Sequence, residues 1–260
     1  AYFTVLYYRH ATDLAREAFA AERDIEGIVA RRVENGEAPE MDRVKANVET
    51  LKAQRFVQQQ QRLCDASRKA LNAYCGRALP PDFALEDPLE GELAGVDADA
   101  AREIALAQHP ALRRMDAALN RQNAIVQREK KAWFPDFRLG IPTGFELPLF
   151  HRNKGGVAAA EAERERLEAE RERVRQEIVA GIEAGVETYE SAREQVAAFR
   201  GGLREAAAEA LRTETFMYQE GEVDLLHLLD ARRTARQTDR EYLQALYDAQ
   251  TARVELERAI

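Results

Sequence analysis

Two stretches of the sequence, GEAPEMDRVKA at Gly36–Ala46 and GEVDLLHLLDA at Gly221–Ala231, decide the fold. They begin 185 residues apart and place glycine, glutamate and alanine at matching positions. Each stretch lies between two long segments of helical periodicity, so each predicts a turn between two helices. A repeated helical unit of this kind cannot bury its apolar face alone. The sequence therefore predicts two antiparallel helical hairpins that pack into a larger helical assembly.

Capping residues predict where the helices of the first half begin and end. The first helix is predicted from about Tyr2 to Val33, where Asn35-Gly36 ends it in a left-handed cap. The next is predicted to run to about Tyr74, with Pro39 in its first turn. After a connector rich in proline and glycine, Asp97 is the predicted N-cap of a short helix. Pro110 then opens another helix, which is predicted to reach about Trp133.

The second half begins with a change of period. Between Phe137 and Leu149 apolar residues alternate with others, which predicts two short strand stubs. No proline interrupts the chain from Lys154 to Tyr218, so we expect one unbroken helix of about 65 residues. Asp224 is the predicted N-cap of the final helix.

Composition excludes several classes of function. Charged residues make up 32% of the chain and hydrophobic residues 45%, which is typical of long helices and coiled coils. The net charge of −8 argues against a nucleic-acid partner. The four histidines lie far apart, so no metal site is expected, and no cofactor motif or catalytic set is present. No apolar run approaches the roughly 20 residues that a membrane-spanning helix needs.

Five motifs follow one another along the chain, namely Asn35–Ala46, Ala107–Leu112, Trp133–Asp136, Leu147–Gly155 and Tyr218–Ala231. Their ordered combination resembles the TolC family of outer-membrane efflux channels. Within the fourth, the form Pro-Leu-Phe-x-Arg-Asn-x-Gly is most similar to the heavy-metal efflux branch. The resemblance implies an all-α fold of long antiparallel coiled-coil helical hairpins in two structural repeats, the protomer of an α-barrel, with short β stubs.

The resemblance also implies how the chain is divided. We expect a first hairpin over 1–79, a connector with equatorial helices over 80–135, residual strand stubs over 136–150 and a second hairpin over 151–260. Family members carry long membrane strands that are absent here, and the first helix is shorter than its repeat by about thirty residues. The chain therefore resembles the periplasmic part of such a channel.

Function and partners follow from the same resemblance. It implies a homotrimeric conduit in the outer membrane and periplasm of a Gram-negative bacterium. The conduit would work without catalysis, together with a periplasmic adaptor protein and an inner-membrane pump. The exported substrate stays open between metal ions and drugs or other small molecules. A structural coiled-coil scaffold and an adaptor protein are the alternatives, but a scaffold needs no matched turns and an adaptor has one hairpin only.

The resemblance places the functional residues at the two turns. Gly36, Glu37, Gly221 and Glu222 are expected to contact the adaptor. The expected pore gate consists of Asp42, Tyr218, His227 and Asp230. In a trimer, three copies of each acid near one axis would favour cation entry and raise the carboxylate pKa values. The alternative interpretation is that Asp42 only complements a helix N-terminus and that His227 and Asp230 form a surface pair.

Overall fold

The computed structural model describes residues 1–80, 83–85, 89–132 and 153–260, and these residues fold into helices with no strand among them. The all-α class predicted from the sequence is confirmed. The predicted strand stubs, together with Trp133, lie outside the described residues. The helices are α1 (Tyr2–Glu34), α2 (Glu40–Tyr74), α3 (Ala98–Gln108), α4 (Pro110–Lys131), α5 (Lys154–Ala198), α6 (Arg204–Glu220) and α7 (Leu225–Ala259).

Local capping signals fix the first residues of two helices. The carboxylate of Asp97 accepts hydrogen bonds from the amides of Asp99 and Ala100, which fixes the start of α3 as predicted. Asp224 does the same for the amides of Leu226 and His227, at 3.0 and 3.1 Å, where α7 begins. Both N-caps inferred from the sequence are thus confirmed.

The prediction of one unbroken helix from Lys154 to Tyr218 was wrong. The segment Phe199–Leu203 has π-helical hydrogen bonding and separates α5 from α6. Its Gly202 has φ 125°, a conformation that residues with a β-carbon rarely adopt. Two adjacent glycines therefore allow a kink where the apolar periodicity suggested a continuous helix.

The described chain divides into two compact units, the first formed by residues 1–95 and 188–254. In this unit α1 is antiparallel to both α2 and α7. Leu6 and Ala11 of α1 share a buried apolar cluster with the end of α5 and with α7. Leu89 of the connector is fully buried in the same core, where its carbonyl accepts a hydrogen bond from the Gln250 amide at 3.3 Å. The connector is thereby part of the first core.

The second unit consists of residues 96–187 and 255–260. Antiparallel contacts between α4 and α5 hold it together. The buried Gln122 amide donates to the Ala160 carbonyl at 2.9 Å, and Arg171 pairs with Asp116 at 2.6 Å. The four segments predicted from the sequence divide the chain along its length rather than by packing, and they stay a prediction.

Candidate functional site

The two turns have the same backbone geometry. At the first, the Glu37 amide donates to the Arg32 carbonyl at 2.8 Å, and at the second the Glu222 amide donates to the Met217 carbonyl at 2.9 Å. These bonds are 185 residues apart and define the Schellman motif, in which a left-handed residue ends the helix. Gly36 and Gly221 supply that residue, with φ 76° and 79°. The sequence repeat is therefore a structural repeat.

Arg32 joins the two turns within the first unit. Its guanidinium donates to the Tyr218 carbonyl and lies 4.7 Å from the centroid of the Tyr218 ring. Its Nε lies 3.7 Å from the Glu37 carboxylate, and a β-carbon added at Gly221 would meet its Nη2 at 3.3 Å. One cation at the end of α1 thus contacts the end of α6 and both turns. We call residues 32–42 and 217–230 the tip.

The Tyr218 side chain is buried at the centre of the tip. Its exposed fraction is 2%, and within the described part of the chain its hydroxyl has no hydrogen-bond partner. Burial raises the pKa of this phenol, and the negative charge of Asp42 raises it further, whereas Arg32 opposes both effects. Tyr218 is therefore neutral at physiological pH.

An apolar cluster supports the tip from within. It brings together residues of all four helices around the turns. Its fully buried members include Val29 of α1 and Leu228 of α7. The other buried members are Ile25, Ala46, Tyr218 and Leu225. Because these side chains are shared by both hairpins, the two turns are held at one end of the unit, as the repeat predicted.

A buried ion cluster lies next to this apolar cluster along α1. Glu22, with 1% of its side chain exposed, pairs with Arg236 at 2.8 Å and lies 3.8 Å from Arg232. Arg232 also donates to the Ala21 carbonyl at 2.8 Å, and Arg236 lies 3.9 Å from Glu49. Burial lowers the pKa of Arg232, and the Glu22 carboxylate counteracts this shift. Charges on α1, α2 and α7 thus fix the register of these helices.

The sequence of the chain matches one protein family. Residues 101–260 match the family described as Outer membrane efflux protein. The chain belongs to this family. The resemblance to TolC-family channels is thereby confirmed, as is the predicted location in the outer membrane and periplasm of a Gram-negative bacterium.

Individual relatives agree with the family assignment. The cobalt-zinc-cadmium resistance protein CzcC of Cupriavidus metallidurans is 24% identical, and the alignment covers this whole chain and 65% of CzcC. The outer-membrane channel OprN has a TM-score of 0.81 at 17% identity, covering 99% of this chain and 63% of OprN. The open MtrE channel of Neisseria gonorrhoeae has a TM-score of 0.78 at 21% identity, covering 99% of this chain and 63% of MtrE. The chain spans less than two thirds of each relative.

The structure places the expected gate residues of this efflux-family chain in different environments. Asp42 is partly buried beside Tyr218 and pairs with Lys45 at 3.4 Å. His227 and Asp230 lie exposed on the first turns of α7, and among the described residues neither side chain has a hydrogen-bond or ion-pair partner. Asp42 and Tyr218 are thus brought together within one chain, whereas His227 and Asp230 face outward.

The four residues expected to contact the adaptor are all exposed. They are Gly36, Glu37, Gly221 and Glu222. Exposure leaves them available to a partner, and their role stays a prediction.

Arg32 was not among the functional residues predicted from the sequence. Its repeat counterpart is Met217, so no shared basic residue marked the position. The signal that could have found it is a basic residue in the last turn of α1, four positions before the turn glycine. Glu22 was missed as well, because a lone acid among charges is typical of a solvated helix face.

The described residues contain neither a metal-binding cluster nor a membrane-spanning helix. Among these residues no group of three or more histidine, cysteine, aspartate or glutamate side chains is arranged to hold a metal ion. None of their helices combines the length and the apolar character needed to cross a membrane.

Proposed function

We propose that this chain is part of a subunit of a trimeric efflux conduit, which exports its substrate passively and has no enzymatic activity. The proposal rests on the two matched turns, which Arg32 joins at one end of the unit. They occur in a chain of the outer membrane efflux protein family. Two turns at one end give each subunit two elements with which to narrow a shared pore.

An exposed apolar seam on α2 supports self-association. Met41, Val44, Val48 and Leu51 follow one another at steps of three, four and three residues, and each is more than 40% exposed. This spacing is typical of a coiled-coil seam, which a second helix normally covers. Phe216 and Leu226 add exposed apolar surface on the second hairpin. We propose that neighbouring subunits of a homotrimer cover these residues.

The charge of the tip supports a cationic substrate. Residues 31–45 and 217–231, which include the tip, contain eight acids but only four lysines and arginines. In a trimer this excess would be tripled around one axis, which concentrates cations and repels anions. CzcC, a relative of this chain, is named for resistance to cobalt, zinc and cadmium. We therefore favour divalent metal ions over neutral drugs as the exported substrate.

The partners follow from the same proposal. A passive conduit needs an energised inner-membrane pump and an adaptor that joins the two. The exposed turn residues Glu37 and Glu222 are the proposed contact with a periplasmic adaptor. The alternative, a coiled-coil scaffold without transport, explains the long helices but gives no reason for matched turns or an acidic tip.

The acidic tip can be tested in the full-length protein reconstituted in a planar bilayer. Replacing both Asp42 and Asp230 by alanine should lower cation selectivity and weaken block by divalent cations, because both acids contribute to the potential at the tip. Glu92→Ala, which removes an exposed acid of the connector, is the matched control and should change neither property. Unchanged selectivity and block in the double variant would show that these acids are helix-start residues only.

The substrate class needs a separate test in cells. A strain that lacks the gene should become sensitive to zinc, cobalt or cadmium, and the wild-type gene should restore resistance. If the gene restores resistance to neutral drugs but not to metal ions, the proposed metal substrate is contradicted. The proposed conduit function would not be affected by this result.

A further inference from the structure

A groove runs along α1 between α2 and α7 within the first unit, and Arg236 of the ion cluster is one of its lining residues. Its volume is about 410 Å³, within the usual range for small-molecule sites. Alanines form its floor because their side chains leave space between the helices. These residues are Ala11, Ala15, Ala18 and Ala53.

The walls of the groove combine apolar and cationic groups. Tyr7, Leu14, Phe56 and Leu243 supply apolar surface. Four basic residues also line it, namely Lys52, Arg233, Arg236 and Arg240. A cationic groove is unusual in a chain whose net charge is −8.

Neighbouring acids neutralise only some of these cations. Arg236 is paired with Glu22 and lies near Glu49, which also pairs with Lys52 at 2.7 Å. In the described part of the chain Arg233 and Arg240 have no acidic partner. Among the described residues the Arg240 guanidinium donates only to the Gln237 side chain, at 2.7 Å, and it lies 5.8 Å from the centroid of the Phe56 ring.

A side-chain amide that lines the groove also has no hydrogen-bond partner among the described residues. Gln60 is one helical turn from Phe56 on α2, lines the groove and is only 8% exposed. The structure shows no hydrogen bond to its side chain from any described residue. Its NH₂ group is therefore available to an occupant of the groove that carries an acceptor.

We propose that the groove binds an amphiphilic organic anion. The anionic head would accept hydrogen bonds from the Arg240 guanidinium and the Gln60 amide, and the apolar chain would lie on the alanine floor. A single-chain anion suits the groove because about 16 Å of α1, from Tyr7 to Ala18, lines it. This site is separate from the tip and does not depend on the proposed conduit function.

The proposal can be tested by isothermal titration calorimetry on the purified full-length protein. Decanesulfonate, which stays ionised at all working pH values, is the probe and is used below its micelle concentration. We expect one molecule to bind per chain. Decyltrimethylammonium and decyl maltoside, with the same chain length but a positive or neutral head, should bind at least tenfold more weakly.

Matched variants separate the site from general surface binding. Arg240→Gln and the groove-filling Ala18→Leu should each weaken decanesulfonate binding about tenfold or more. Their controls are Arg212→Gln on α6 and Ala20→Leu on the exposed face of α1, which should bind like the wild type. Circular dichroism and thermal unfolding confirm that each variant is folded.

Three results would overturn the proposal. Equal binding of all three probes would reveal an apolar surface without preference for charge. Unchanged affinity in the folded Ala18→Leu variant would place the probe elsewhere. Absence of binding to the assembled protein, with binding to its dissociated chains, would mean that a second copy of the chain covers the groove.

Discussion

Replacing Arg32 by methionine is the most informative single change at the tip. Methionine keeps much of the length and apolar volume of the arginine stem, but it removes the guanidinium that joins the two turns. The variant therefore loses the hydrogen bond to the Tyr218 carbonyl, the contact with the Tyr218 ring and the approach to Glu37. The backbone bond from Gly221 to the same carbonyl, at 3.2 Å, remains.

The magnitude of the effect follows from these three contacts. A hydrogen bond from a charged donor contributes about 1.5–3 kcal/mol. A partly buried cation–π contact contributes about 0.5–2 kcal/mol. The Glu37 pair adds little, because 56% of that side chain is exposed and surface pairs contribute about 0–1 kcal/mol. Since contacts made by one group are not additive, we expect a local loss of about 2 kcal/mol.

Amide hydrogen exchange measures this loss where it occurs. A loss of about 2 kcal/mol should speed the exchange of the Glu37 and Glu222 amides about 30-fold, while amides near the core residues Leu6 and Leu246 stay unchanged. Arg31→Met, in the same last turn of α1 but exposed, is the control. If the amides of both turns exchange as slowly in the Arg32→Met variant as in the Arg31→Met control, Arg32 is not the residue that joins the turns.

Three further changes test other parts of the structure. Tyr218→Phe should leave stability unchanged or raise it by up to about 1 kcal/mol, because the buried hydroxyl has no partner. Since the pKa of Tyr218 is raised in the folded state, the wild type should also lose stability above about pH 10. Urea titrations at alkaline pH should show that the phenylalanine variant lacks the part of this loss that is due to Tyr218. Gly202→Ala should lower the free energy of unfolding by about 1–2 kcal/mol. Gly201→Ala, where a side chain also meets open space, should raise it by about 0.5–1 kcal/mol. Thermal unfolding midpoints that shift in the same direction in both variants would contradict the kink. Glu22→Gln should cost about 3 kcal/mol in urea unfolding by leaving Arg232 and Arg236 without their buried counter-charge, while Glu17→Gln, which is exposed, should cost almost nothing.

Features that depend on neighbouring residues could be predicted from the sequence. Gly36 and Gly221 end helices because a left-handed residue is needed at that point, and Asp224 begins one because its carboxylate reaches amides two and three residues ahead. These causes act within one turn of helix. The repeated hairpins followed from them, together with the 185-residue offset.

Features that depend on residues distant in the chain could not be predicted. Arg32 and Tyr218 are 186 positions apart, and no local pattern indicates that they meet. The burial of Glu22 likewise depends on arginines of α7 rather than on its own helix. The kink at Gly202 had a local signal in the glycine pair, but the surrounding helical periodicity outweighed it.

Single-channel recording on the purified full-length protein tests the central claim most directly. If the chain belongs to a subunit of a trimeric efflux conduit, particles with the mass of three chains should produce discrete, cation-selective conductance steps in a planar bilayer. This readout does not depend on knowing the exported substrate. Folded trimers that produce no conductance, or a folded protein that stays monomeric, would contradict the account.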